Sequence, residues 1–91
     1  MDLNVQKIFI CDGDKAALME TNNMVQVCAG SRPEVRSYEE PEKALSDMRR
    51  EKILPEIILL DMNFGKYGGV EIAKEIIQRH EEIPIIFTGE S

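Results

Sequence analysis

A chain of 91 residues, 43% hydrophobic and 31% charged, has room for one domain. Its composition is that of a globular protein, not of a disordered segment. A formal net charge of −6 argues against nucleic-acid binding, which needs clustered Lys and Arg.

The first apolar run is Lys7-Ile8-Phe9-Ile10-Cys11. It is nearly continuous and β-branched, as in a strand buried on both faces of a parallel sheet. Asp12, Gly13 and Asp14 follow. Lys15 to about Cys28 repeats apolar residues at Ala17, Leu18, Met24, Val25 and Cys28, which predicts a helix with Asp14 as its N-cap. Glu34-Val35-Arg36-Ser37-Tyr38 alternates apolar and polar, which suits an edge strand. Pro41 opens a helix to about Glu51 that turns Ala44, Leu45 and Met48 inward.

Glu56-Ile57-Ile58-Leu59-Leu60 reads as a third strand, followed by Asp61, Met62 and Asn63. Gly69 to about His80 is a helix with Val70, Ala73, Ile76 and Ile77 on one face. Ile83-Pro84-Ile85-Ile86-Phe87 is a fourth strand, followed by Thr88 and Gly89. Pro33, Pro55 and Pro84 each mark the way into a strand, where proline is tolerated. This alternation predicts an α/β domain with right-handed crossovers.

No apolar run nears the roughly 20 residues of a membrane helix, and Met1-Asp2-Leu3-Asn4 lacks the pattern of a secretory leader. The cytoplasm is the expected compartment, with no membrane partner. Cys11 and Cys28 lack metal-ligand spacing and are expected as buried free thiols. Met19, Met24 and Met48 read as packing residues and His80 as a surface cation near a helix end.

In open parallel sheets, ligands bind beyond the carboxyl ends of the strands. If the first and third strands are neighbours, Asp12, Asp14 and Asp61 converge there. Carboxylates so gathered favour a hard divalent cation, and Mg²⁺ takes one or two of them plus phosphate oxygens. An Asp in this place can attack phosphorus and form an aspartyl phosphate. The Thr88 hydroxyl could bond a phosphate oxygen, although Thr-Gly after a strand is also ordinary turn chemistry. Gly65, Gly68 and Gly69 would let the loop after Asp61 turn tightly.

The sequence resembles the receiver domain of two-component response regulators. The likeness lies in Ile8-Phe9-Ile10-Cys11-Asp12, in Glu42-Lys43-Ala44-Leu45, in Pro55 through Gly69, and in Ile83 through Thr88. It implies a flavodoxin-like (CheY-like) parallel sheet of strand order 2-1-3-4, lacking the last helix-strand-helix, with residues 1–91 forming a receiver incomplete at its C-terminus. It implies a non-enzymatic phosphorelay protein. Asp61 is then the phosphoacceptor, phosphorylated by a sensor histidine kinase, and Thr88 the switch hydroxyl. Asp12, Asp61 and the Asn63 backbone carbonyl hold Mg²⁺.

Three departures stand out. The family's second pocket acid is Gly13 here. Its loop proline and aspartate are Gly65 and Gly68. A full receiver has a fifth strand, with a phosphate-contacting lysine, and two further helices, none of which is present in these 91 residues. An apolar fourth strand at a sheet edge invites pairing, so self-association is expected.

Two other readings compete. One is a degenerate receiver that serves only as a docking or dimerisation module. The other is a haloacid-dehalogenase-like phosphatase using Asp12 as nucleophile and Asp14 as acid/base. Ala16 and the short chain count against the phosphatase.

Overall fold

The structure is a computed structural model that describes residues 7–28, 32–50 and 54–89. The elements run β1 (Lys7–Cys11), α1 (Lys15–Cys28), β2 (Glu34–Tyr38), α2 (Pro41–Arg49), β3 (Ile57–Asp61), α3 (Gly69–Arg79) and β4 (Ile85–Thr88). The strands form one parallel sheet in the order β2-β1-β3-β4. This is the flavodoxin-like arrangement expected, with β1 beside β3.

The alternation of side chains along each strand divides the core in two. Phe9, Cys11, Ile58 and Leu60 meet Ala44 and Met48 of α2 and Ala73 and Ile76 of α3 on one face. Ile8 and Ile10 meet Leu18 of α1 on the other. Full burial of one such large side chain contributes about 1.5–3 kcal/mol. Phe64, in the loop after β3, is fully buried in the larger cluster.

α1 is held at its start by Asp14. The Asp14 Oδ1 accepts the Ala16 N–H at 2.9 Å, and its carbonyl accepts the Leu18 N–H at 3.0 Å. These are the contacts of the predicted N-cap. α2 begins at the predicted proline, and α3 begins at Gly69.

Several expectations need correction. The third strand runs one residue later than its apolar pattern suggests, so Asp61 closes β3 instead of following it. The fourth strand starts at Ile85 and includes Thr88. α2 ends at Arg49, two residues short of the expected end; Glu51 itself lies outside the described residues.

Cys28 is exposed, as are Met19 (68%) and Met24 (63%), whereas Cys11 and Met48 are buried. The reason is coverage. α1 is the one described helix packed on its sheet face, and it lies over β1 and β2. An apolar groove remains between α1 and β4, lined by Met24, Val25, Cys28, Ile57, Leu59 and Ile86. Val70 and Ile77 of α3 are likewise exposed, so that helix buries only the Ala73 and Ile76 side of its apolar face. His80 is not a free surface cation. Its side chain is 14% exposed, its Nδ1 lies 3.9 Å from Glu82, and it lines the crevice between α2 and α3.

Candidate functional site

The carboxyl ends of the strands gather the residues that matter. Asp12 follows β1, and its N–H donates to the Tyr38 carbonyl at 3.0 Å, which ties it to the end of β2. Asp61 is the last residue of β3, and Thr88 is its register partner on β4. The Met62 N–H donates to the Thr88 carbonyl at 3.0 Å, so both strand tips are locked side by side.

The Asp12 and Asp61 carboxyl groups are close enough for the charge of one to act on the other. Burial pushes the Asp12 carboxyl above its usual range; the charges of Asp61 and Asp14 push the same way, and the hydrogen bond from the Asp14 amide opposes them. That last bond runs from the Asp14 N–H to the Asp12 Oδ1 at 2.9 Å. The Asp61 Oδ1 accepts the Asn63 N–H at 3.3 Å. Among the described residues no lysine or arginine pairs with Asp12 or Asp61.

Convergence of three carboxylates, expected from the chain, reduces to two. The Asp14 carboxylate is spent on capping α1. Among the described residues no group of three or more acidic, histidine or cysteine side chains is arranged to hold a metal ion. Gly13, between Asp12 and Asp14, contributes no side chain.

The loop after Asp61 is closed by backbone contacts. The Phe64 N–H donates to the Asp61 carbonyl at 3.0 Å, and the Gly69 N–H donates to the Met62 carbonyl at 2.6 Å. Gly65 and Gly68 take positive φ of 79° and 88°, where glycine has no steric penalty. A β-carbon at Gly69 would overlap the Asp61 carbonyl, so the start of α3 lies directly against the strand that carries the carboxylate. Sequence reasoning anticipated these glycines but not Phe64, the buried anchor of the loop. A single aromatic between polar and glycine residues has no periodicity to betray its burial. It also missed how close Gly89 comes to Asp61. The signal for that was only the Thr-Gly pair, which reads equally well as a turn.

Comparison with known proteins supplies a family. Residues 8–91 match the family described as the response regulator receiver domain. No curated protein matches the chain. Among solved structures it is similar to the response regulator DrrB of Thermotoga maritima, an OmpR/PhoB homologue, with 24% identity and a TM-score of 0.74, over 90% of this chain and 34% of that one. It is also similar to the phosphorylated cyanobacterial phytochrome response regulator RcpA, with 25% identity and a TM-score of 0.75, over 90% and 63%. The Mn²⁺-bound form of response regulator Rcp1 is similar with 22% identity and a TM-score of 0.73, over 90% and 63%. The chain thus spans about a third of DrrB and just under two thirds of the other two.

Proposed function

We propose a function from one premise: the chain belongs to the response regulator receiver domain family. Asp61 accepts a phosphoryl group, and the donor is a phosphohistidine on a sensor histidine kinase. The observation that carries this reading is the meeting of Asp61 with Asp12 and Thr88 at adjoining strand tips. The haloacid-dehalogenase alternative has no support in the family match.

In the proposed reaction an Asp61 carboxylate oxygen attacks phosphorus and forms a P–O bond. The P–N bond to the donor imidazole breaks, and the imidazole leaves with the electron pair. Little covalent work falls to the protein, so positioning and charge neutralisation dominate. The Asn63 N–H holds one carboxylate oxygen. The Thr88 hydroxyl would bond an oxygen of the transferred group and so report its presence.

Two acids that press on each other, with no basic partner among the described residues, suit a hard cation. Asp12 and Asp61, with the Asn63 carbonyl, would hold Mg²⁺. When bound it supplies positive charge against the phosphoryl oxygens. Gly13 leaves this donor set at its minimum.

A second copy of the chain is the proposed partner of β4. Among the described residues β4 is a sheet edge, it carries no charged side chain, and Ile86 and Phe87 are 49% and 43% exposed. An uncharged edge with both side chains bare is what strand pairing uses.

The phosphoacceptor reading is tested by intact mass after incubation with Mg²⁺ and acetyl phosphate. Wild type should gain one phosphoryl group and Asp61→Asn none. An unmodified wild type would leave a docking module.

A further inference from the structure

The loop that leaves Asp61 leans on the start of α2. Phe64 is fully buried in the cluster to which α2 contributes Ala44 and Met48. The next residue, Gly65, has φ +79°, and a β-carbon built on it would lie 2.6 Å from Pro41 Cγ, 3.6 Å from its Cδ and 3.7 Å from its Cβ. The Pro41 ring therefore fills the space that a side chain at position 65 would take in this arrangement. The ring cannot swing away, because it is closed onto its own backbone nitrogen at the first residue of α2.

Asn63 lies between this seat and the acceptor. Its N–H donates to the Asp61 Oδ1 at 3.3 Å. The Phe64 N–H donates to the Asp61 carbonyl at 3.0 Å. The Asn63 carbonyl shares a peptide plane with that Phe64 N–H. Its direction is thus set by the end of β3 on one side and by the seat of residues 64 and 65 on α2 on the other.

A glycine left to itself would loosen this loop. A proline at position 65, where the family's loop proline falls, would stiffen it from within. Here the ring comes from outside, from α2. The two solutions exclude each other: proline locks φ near −65°, whereas Gly65 holds +79° with the Pro41 ring already in place.

We infer that Pro41 is a positioning residue for the acceptor loop: its ring, seated on Gly65, fixes the Asn63 amide and carbonyl beside Asp61. This deepens the phosphoacceptor reading and rests on it for any effect on labelling, but the seat itself does not depend on that reading. Residues in direct contact act as a unit, so substitutions at positions 41 and 65 should couple.

Four proteins are compared: wild type, Pro41→Ala, Gly65→Pro and the double variant. Alanine keeps the β-carbon and a good helix start and removes the ring. Three readouts are taken. They are thermal melting, the resonance and deuterium exchange of the Asn63 amide without metal, and the rate of labelling by acetyl phosphate across Mg²⁺ concentrations.

Pro41→Ala should melt close to wild type, move the Asn63 resonance and speed its exchange. The Mg²⁺ concentration for half-maximal labelling should rise about tenfold, the low end for groups that orient a metal ligand. The maximal rate at saturating Mg²⁺ should change little. Gly65→Pro alone should shift the same readouts or fold poorly. The double variant should recover both the Asn63 exchange rate and the Mg²⁺ dependence, because proline at 65 takes its own φ once the opposing ring is gone.

An unmoved Asn63 amide in Pro41→Ala would overturn the inference. So would a Gly65→Pro protein as sound as wild type, or a double variant no better than the worse single one. If Gly65→Pro and the double variant both fail to fold, the exchange of places is refuted. If wild type takes no label, the phosphoacceptor reading fails, and the Asn63 resonance and exchange alone decide whether Pro41 positions the loop.

Discussion

The β-carbon that Gly13 lacks would lie 4.0 Å from the Glu39 carbonyl oxygen and meet no other heavy atom outside its chain neighbours within that distance. Gly13 is also exposed, and its φ is not positive. A side chain is therefore absent here without any steric need for its absence. This separates Gly13 from Gly69, where a β-carbon would overlap the Asp61 backbone.

Gly13→Asp should accordingly fold as wild type and add a carboxylate beside Asp12. Titration calorimetry with Mg²⁺ should show affinity rising by at least about tenfold, since each added hard anionic ligand strengthens such a site. Unchanged affinity would mean that the added carboxylate does not face the pair formed by Asp12 and Asp61.

Asp12→Asn should stabilise the protein at neutral pH when divalent cations are removed with EDTA. Burial and the neighbouring acids raise the Asp12 carboxyl above the ordinary aspartate value of 3.8. The native state therefore binds this proton more tightly than the unfolded state does, and the charged form opposes folding once pH exceeds the raised value. Asn keeps an oxygen for the Asp14 amide and removes the charge. The gain should be about 0.2–1 kcal/mol, the scale of partly exposed charge pairs. It should vanish below about pH 3.8, where wild type is protonated in both states. Thermal melts of the two proteins across pH check this, and a gain that persists in acid would contradict it.

Tyr38→Phe isolates one hydrogen bond. The Tyr38 hydroxyl donates to the Asp47 Oδ2 at 2.7 Å, while its ring packs 4.8 Å from the Phe9 ring centroid. Phenylalanine keeps the packing and loses the link from β2 to α2. Denaturant titration should show a loss of about 1 kcal/mol. Burial and Asp47 both raise the phenol above the ordinary tyrosine value of 10.0. Wild-type stability should thus fall as pH climbs past 10, where the unfolded phenol ionises first, and the variant should lack that component of the fall.

Self-association should respond to Ile86→Lys. Light scattering of the wild-type chain at rising concentration should show a species larger than a monomer. The variant puts a charge on an exposed edge position and should shift the equilibrium to the monomer. Wild type that stays monomeric at high concentration would remove the proposed β4 contact.

Much of this protein was legible along the chain because the relevant signals are local. Apolar runs after Pro33, Pro55 and Pro84 marked the strands, and Asp14 before Lys15 marked the start of α1. Asp61 stood out because a carboxylate at the end of an apolar parallel strand has few structural reasons to be there. What the sequence could not convey was coverage and approach. Met24, Cys28 and Ile77 are apolar at helical spacing yet exposed, since periodicity says which residues share a face and not whether anything lies on it. Phe64 is buried with no periodic neighbour to announce it. The adjacency of β1 and β3, which brings Asp12 to Asp61, followed from the family likeness and from no local signal, and the register of β4, which lays Gly89 against that same carboxylate, joins residues far apart in the chain. They depend on how strands are ordered and aligned across the sheet, and only the tertiary structure decides that.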